Sequence, residues 1–308
     1  MRRELRGKPE RTNVREDFRQ NYLLVFMEKI FMSKRILSTF VLWTALILSL
    51  WKGGLPAGIC WVCLFSVLTQ YEVNELLKNV DYRVQSTLHL IVAAIFPLLI
   101  WILPYNPVHS LELTALFVVI LSIFTLFQTF KEDAPSTFIC TLFSFVYIPF
   151  NFHFMMLLAK AFVVQGRPEQ GLWVMIWLIA VAKFTDVGGL LSGLLFGKHP
   201  FAPTISPKKT WEGVIGGVVI SILVSVGIVW IFEARLPKEF TLLKAALFAL
   251  PLSMVAIASD LLESKLKRLA NVKDSGQLIP GIGGALDLTD SLLLTAPIGY
   301  LLCKYYLI

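Results

Sequence analysis

Six windows of this chain contain no aspartate, glutamate, lysine or arginine: residues 36–51, 53–71, 84–111, 113–130, 134–159 and 214–232. Each is close to or longer than the roughly 20 residues an α-helix needs to cross the hydrocarbon of a bilayer. In lipid the backbone must satisfy its own hydrogen bonds, and continuous apolar runs do so as helices. Only 16% of the 308 residues are charged, against about a quarter in a soluble domain. The expected fold class is all-α, a polytopic transmembrane helical protein. Three further apolar segments, 171–196, 242–263 and 284–306, carry charges within them and bring the expected number of spans to nine. An ionisable side chain inside a span is costly and marks a cavity or a functional partner, so these three segments hold the chemistry.

The formal net charge of +7 does not point to nucleic acid, because +5 of it lies in the first 35 residues. A mixed, basic tail of that length suits a cytosolic anchor near anionic lipid. It has neither the composition nor the cleavage site of a removed signal peptide. With the N-terminus inside, alternate segments place 20 Lys/Arg in the cytoplasm and 7 outside, a bias that sets the orientation. Both loops 197–211 and 263–283 then face the cytoplasm. The expected organisation is a tail at 1–35, transmembrane spans over 36–165, and a catalytic transmembrane region over 166–308 containing those two loops.

Cys60 and Cys63 form a CxxC, but inside an apolar span cysteine behaves as a small hydrophobe. The histidines at 89, 109, 153 and 199 are too scattered to suggest a ligand set.

The stretch between residues 183 and 217 is the first informative one. Asp186 follows Lys183 by three residues, so a structural ion pair on one helical face competes with a functional role. Gly189, Gly193 and Gly197 recur every four residues, as do Gly213 and Gly217. That spacing lets helices approach closely in lipid, and a Walker phosphate loop is excluded by its absent pattern. Between them runs ISPKKTWEG, residues 205–213, where Pro207 stiffens a loop carrying Ser206, Lys208 and Lys209. Two ammonium groups on a stiff loop suit phosphate oxygens; the plainer alternative is a positive-inside loop gripping headgroups. Glu212 fits a helix N-terminal anion.

From Asp260 onward, Asp260, Glu263, Ser264, Lys267 and Arg268 fall at i, i+3, i+4, i+7 and i+8, one helical face that is acidic toward the membrane and basic toward water. Lys273 and Asp274 follow, and Gly276, Pro280, Gly281, Gly283 and Gly284 break the helix. Asp287 and Asp290 then re-enter the membrane three residues apart, on one side of a helix. Two or three hard carboxylates make the kind of site Mg²⁺ takes, its remaining shell filled by substrate phosphates. Acids for a metal beside lysines for phosphates suit phosphoryl or nucleotidyl transfer, with a lipid acceptor at the bilayer surface. Asp287→Asn is expected to remove metal-holding charge with little effect on stability.

In these residues the sequence resembles the phosphatidate cytidylyltransferases, or CDP-diacylglycerol synthases, of bacterial type. That family carries a signature of the form S-x-x-K-R-x4-K-D-x-G-x2-[LIF]-P-x-H-G-G-x-x-D-R-x-D. Ser264, Lys267, Arg268, Lys273, Asp274, Gly276, Ile279, Pro280, Gly283, Gly284, Asp287 and Asp290 stand in that spacing, and the loop around ISPKKTWEG resembles the family's other cytoplasmic loop. Ile282 replaces the family's His and Leu288 its Arg.

The resemblance implies an enzyme of phospholipid biosynthesis that joins CTP and phosphatidic acid to give CDP-diacylglycerol and pyrophosphate. It implies Asp260, Ser264, Lys267 and Asp287 as catalytic residues. Ser206, Lys208, Lys209, Arg268, Lys273, Asp274 and Asp186 are then substrate-binding, and Asp260, Asp287 and Asp290 hold metal. The cofactor implied is Mg²⁺, with a second, monovalent cation left open.

The expected partners are CTP and membrane phosphatidic acid, with no nucleic acid; a homodimer is one open oligomeric state. The expected location is the plasma (inner) membrane, with the active site facing the cytoplasm. Two alternatives stay open at this point: a CTP-dependent polyprenol or phytol kinase, and an ion-coupled transporter. The chain shows no internal repeat of the kind many transporters carry.

Overall fold

A computed structural model describes residues 14–128, 134–276, 278 and 283–308. The first 13 residues of the expected tail, Lys131, and the signature-loop positions Ile279, Pro280, Gly281 and Ile282 lie outside the described residues.

The described chain is helical except for one small hairpin. In order it forms α1 (Val14–Lys78), α2 (Ser86–Ile102), α3 (Pro107–Gln128), α4 (Ala134–Tyr147), α5 (Pro149–Val164) and α6 (Pro168–Phe196). Strands β1 (Pro200–Ala202) and β2 (Ser206–Thr210) follow, then α7 (Trp211–Ile231), α8 (Leu242–Leu269) and α9 (Ala285–Tyr306). The apolar windows became helices for the reason given above, and the protein is a multi-pass membrane protein.

Six described helical segments are long and apolar enough to span a bilayer: Thr44–Lys78, Pro135–Val164, Pro168–Phe196, Trp211–Ile231, Leu242–Leu269 and Ala285–Tyr306. The expectation was nine. Ser86–Ile102 and Ser110–Thr125 are apolar but shorter. Windows 36–51 and 53–71, expected as separate spans, belong to one helical element interrupted at Gly54. There φ is 54° and ψ −139°, a left-handed backbone that glycine adopts without a Cβ penalty. Trp61 Nε1 donates to Ser49 Oγ at 2.7 Å across 12 residues. A straight helix would separate those residues by about 18 Å, so the two arms of α1 fold back on each other.

Helix α5 is the centre of the bundle. Phe152, Met156, Leu158, Ala159 and Phe162 are all buried, as expected of a helix apolar on every face. It packs against α1, α2, α6 and α9. The α6–α7 pair is held close by the glycines singled out in the sequence: a Cβ at Gly217 would stand 2.7 Å from the Thr185 carbonyl oxygen. Trp177 Nε1 of α6 donates to Ser225 Oγ of α7, which donates to the Ala245 carbonyl of α8, each at 2.8 Å. Buried donors satisfied in this way fix how the three helices are rotated.

The hairpin pairs β1 and β2 antiparallel, Pro200 opposite Thr210 and Ala202 opposite Ser206. Thr210 Oγ1 accepts the Gly213 amide at 3.1 Å and so caps α7. Glu212, in the first turn of α7, accepts from the amides of Lys198 and His199 at 3.1 and 3.2 Å and from His199 Nδ1 at 2.6 Å. The loop expected to be stiff and basic is therefore a strand anchored at both ends.

Candidate active site

Asp260 and Glu263 lie one turn apart on α8, and Asp290 faces them from α9. One carboxylate oxygen from each lies within 4.8 Å of the others. Glu263 and Asp290 are buried. Each acid is met by a lysine, and the three lysines come from three elements. Lys209 of β2 contacts Asp260. Lys267 of α8 lies 2.6 Å from Glu263. Lys183 of α6 lies 2.9 Å from Asp290 and 3.5 Å from Asp186.

Strand alternation explains why only one hairpin lysine takes part, since successive side chains of β2 point to opposite faces. Lys209 turns inward to Asp260, while Lys208 is exposed. Asp186 and Lys183 do form the structural pair considered from sequence, and Lys183 reaches on to Asp290 as well.

Asp287, expected beside Asp260 as a metal ligand, is placed otherwise. Its Oδ1 is 2.7 Å from Lys267 Nζ, and its Oδ2 accepts the Gly284 amide at 2.7 Å, the Ser275 hydroxyl at 3.0 Å and the Ser275 amide at 3.2 Å. The first turn of a helix has unfilled amide donors, and they capture the carboxylate nearest in sequence. Glu263, one turn from Asp260, stands in the carboxylate group instead. Its i+3 spacing from Asp260 was legible in the sequence, although it was not read as a ligand.

The five acids Asp186, Asp260, Glu263, Asp287 and Asp290 thus contact three lysines, so carboxyl groups outnumber ammonium groups. Three hard oxygen donors around a small space, with fewer cations than acids beside them, fit a divalent cation such as Mg²⁺.

The residue that sequence reasoning missed altogether is Glu72, on α1. Its carboxylate accepts the Ala285 and Leu286 amides, both at 2.8 Å, and the Ser275 hydroxyl at 2.8 Å. It is buried, and the amides at the start of α9 offset its charge. Two signature glycines leave room for it: a Cβ would stand 2.4 Å from a Glu72 oxygen at Gly276 and 2.0 Å at Gly284. Its only local sign is that it is the first charge after an apolar window. Glu72→Ala orphans the Ala285 and Leu286 amides, while the Ser275 hydroxyl keeps Asp287, and is expected to cost ~1–3 kcal/mol. Tryptic cleavage after Lys273 should accelerate and the melting temperature in detergent should fall; no change in either would show that Glu72 does not hold this loop.

Among the described residues, the remaining expected ones make no hydrogen bond or ion pair with the three acids, and they differ in exposure. Ser264 and Ser206 are half-buried, and Arg268, Lys273 and Asp274 are exposed. Arg268 Nη1 donates to the Val272 carbonyl at 3.3 Å at the end of α8. Leu288, standing for the family's Arg, is half-buried.

Comparison with known proteins gives a consistent picture. Residues 33–306 match the profile of the cytidylyltransferase family. A phosphatidate cytidylyltransferase of Mycobacterium bovis is 33% identical over 252 residues, covering 77% of this chain and 78% of its own. One from Chlamydia muridarum is 39% identical over 168 residues, 52% of each chain. One from Helicobacter pylori is 43% identical over 127 residues, 41% of this chain and 45% of its own.

Proposed function

The chain belongs to the cytidylyltransferase family, and from that premise we propose that it makes CDP-diacylglycerol from CTP and phosphatidic acid, as a nucleotidyltransferase of phospholipid biosynthesis. The observation that carries the site-level reading is the carboxylate group of Asp260, Glu263 and Asp290, gathered within 4.8 Å and met by lysines. These three residues would hold Mg²⁺, which would supply charge neutralisation for the triphosphate.

A non-bridging oxygen of the phosphatidate phosphate bonds to the α-phosphorus of CTP. The bond from that phosphorus to the bridging oxygen of the β-phosphate breaks, and pyrophosphate leaves with the oxygen. No general base is required, because a phosphate monoester is largely dianionic at neutral pH, its second pKa being about 6. The exposed cations Lys208, Arg268 and Lys273 bind phosphate oxygens. Lys267 keeps Glu263 and Asp287 in place, and Lys209 ties the hairpin to Asp260 over the site. Asp287 acts through the loop it anchors.

In this reading the end of the bundle that carries the acids faces the cytoplasm beside the inner leaflet of the plasma membrane, which the Lys/Arg bias of the sequence supports.

The test is the fate of the label. Membranes containing the protein, given phosphatidic acid and CTP labelled with ³²P at the α- or the γ-position, should transfer α-label to lipid and release γ-label as pyrophosphate. A kinase needs a carboxylate or imidazole free to take a hydroxyl proton, and the acids here are engaged by lysines. Transfer of γ-label to an added prenol, with no α-label in lipid, would move the protein to the kinase reading.

A further inference from the structure

Asp290 belongs to two groups at once. One of its oxygens lies within 4.8 Å of a carboxylate oxygen from Asp260 and one from Glu263. Asp290 is also the partner of Lys183, whose Nζ stands 2.9 Å from its Oδ1. That same Oδ1 accepts the Ser291 amide at 2.6 Å. Among the described residues, Oδ2 takes no hydrogen bond and joins no ion pair. Asp290 therefore has one oxygen fully engaged and one open.

Lys183 is shared in turn. Asp186, one turn further along α6, has its Oδ2 3.5 Å from the same ammonium. A single buried-side cation thus stands between an acid of α6 and an acid of α9, and the second of these acids goes on to meet Asp260 and Glu263. The i+3 pair with Asp186 is local, and a plain helix ion pair would end there. The reach to Asp290 crosses 107 residues of chain. Enzymes that displace at phosphorus often set two cations side by side, about 3.5–4 Å apart, so that the entering and leaving oxygens both meet positive charge. A carboxylate with one oxygen toward each cation is the natural bridge of such a pair, and Asp290 has that arrangement toward Lys183.

We propose that Lys183 is the second cation of this site, its ammonium filling the position between Asp186 and Asp290 that a second metal ion would otherwise take, so that the chain holds one divalent cation rather than two. The proposal rests on the cation reading given above and fixes the number of ions in it. A lysine ammonium is a compact point charge with three donors and no acceptor. It cannot coordinate water or exchange with solvent, so its part is to position Asp290 and to offset negative charge where the triphosphate arrives.

The experiment counts Mn²⁺ bound to the purified full chain in phosphatidylcholine nanodiscs, by electron paramagnetic resonance in choline chloride, where no other small cation competes. Wild type should bind one Mn²⁺. Lys183→Arg, which keeps the charge, should also bind one. Lys183→Ala opens the space between Asp186 and Asp290 and should bind two, recognisable by spin coupling between ions that share Asp290. A wild type that binds two would show that the ammonium does not fill a cation position, and would overturn the proposal. A Lys183→Ala variant that folds and still binds one would make the lysine an ordinary ion-pair partner, overturning the proposal while leaving the cation reading intact. Should Lys183→Ala not fold, the wild-type count decides alone, one ion supporting the proposal and two refuting it. A wild type that binds no Mn²⁺ would sink the cation reading and this proposal together.

Discussion

Asp260→Asn is expected to lower turnover by about 10²–10³-fold, the scale on which one preorganised electrostatic group contributes to a barrier. The substitution keeps the shape of the side chain and removes one charge from the Asp260, Glu263 and Asp290 group. Its partner Lys209 is partly exposed and can turn to solvent, so the melting temperature in detergent should change little. Asp287→Asn should behave differently. Asp287 accepts from Lys267, from the Gly284 amide and from Ser275, and losing a helix cap alone costs ~1 kcal/mol. Activity and stability should therefore fall together, which revises the sequence-based expectation that stability would hold. Turnover and unfolding measured in the same detergent separate the two. Near-normal turnover of Asp260→Asn at limiting Mg²⁺ would remove Asp260 from the cation site. An Asp287→Asn variant as stable as wild type, but with a raised Mg²⁺ requirement, would give that role back to Asp287.

Lys267→Met should be the most destabilising single change at the site. The ammonium sits 2.6 Å from Glu263, which is 1% exposed, and 2.7 Å from Asp287. Taking one partner from a buried ion pair typically costs about 3–5 kcal/mol, because the remaining charge is stranded in a medium that solvates it poorly. Replacing both charges together is often close to neutral, so Glu263→Gln/Lys267→Met should regain much of the loss while staying inactive. Denaturant or thermal unfolding of the three variants reads this directly. If Lys267→Met unfolds with the wild type, Glu263 is better solvated than its burial implies. If the double variant is no more stable than the single one, the stranded charge is not Glu263.

Much of this site could be read along the chain. Lys208 and Lys209 stood out because Pro207 stiffens their loop. Asp260 and Lys267 fall on one helical face, and Asp287 and Asp290 were placed at the start of the last helix. What the chain does not display is which acid pairs with which base. From its spacing, Asp287 was as good a metal ligand as Asp290. Its position in the first turn of α9, where amides lack partners, ties it to the backbone and to Lys267 instead. Lys209 was read as a phosphate binder, and the pleat of β2 turns it onto Asp260.

The sequence by itself determined that the chain lives in a bilayer as helices. That choice is local: each apolar window must satisfy its own backbone, and no distant residue can do it instead. It also determined, through the order and spacing of charges after Asp260, the family and the class of chemistry. The tertiary structure alone decided that Glu72 of α1 docks on the start of α9, some 213 residues later in the chain. It alone brought Lys183 to Asp290. In a low-dielectric interior a charge or hydroxyl is governed by its nearest partner in space, and helix rotation and packing, not distance along the chain, set which partner that is.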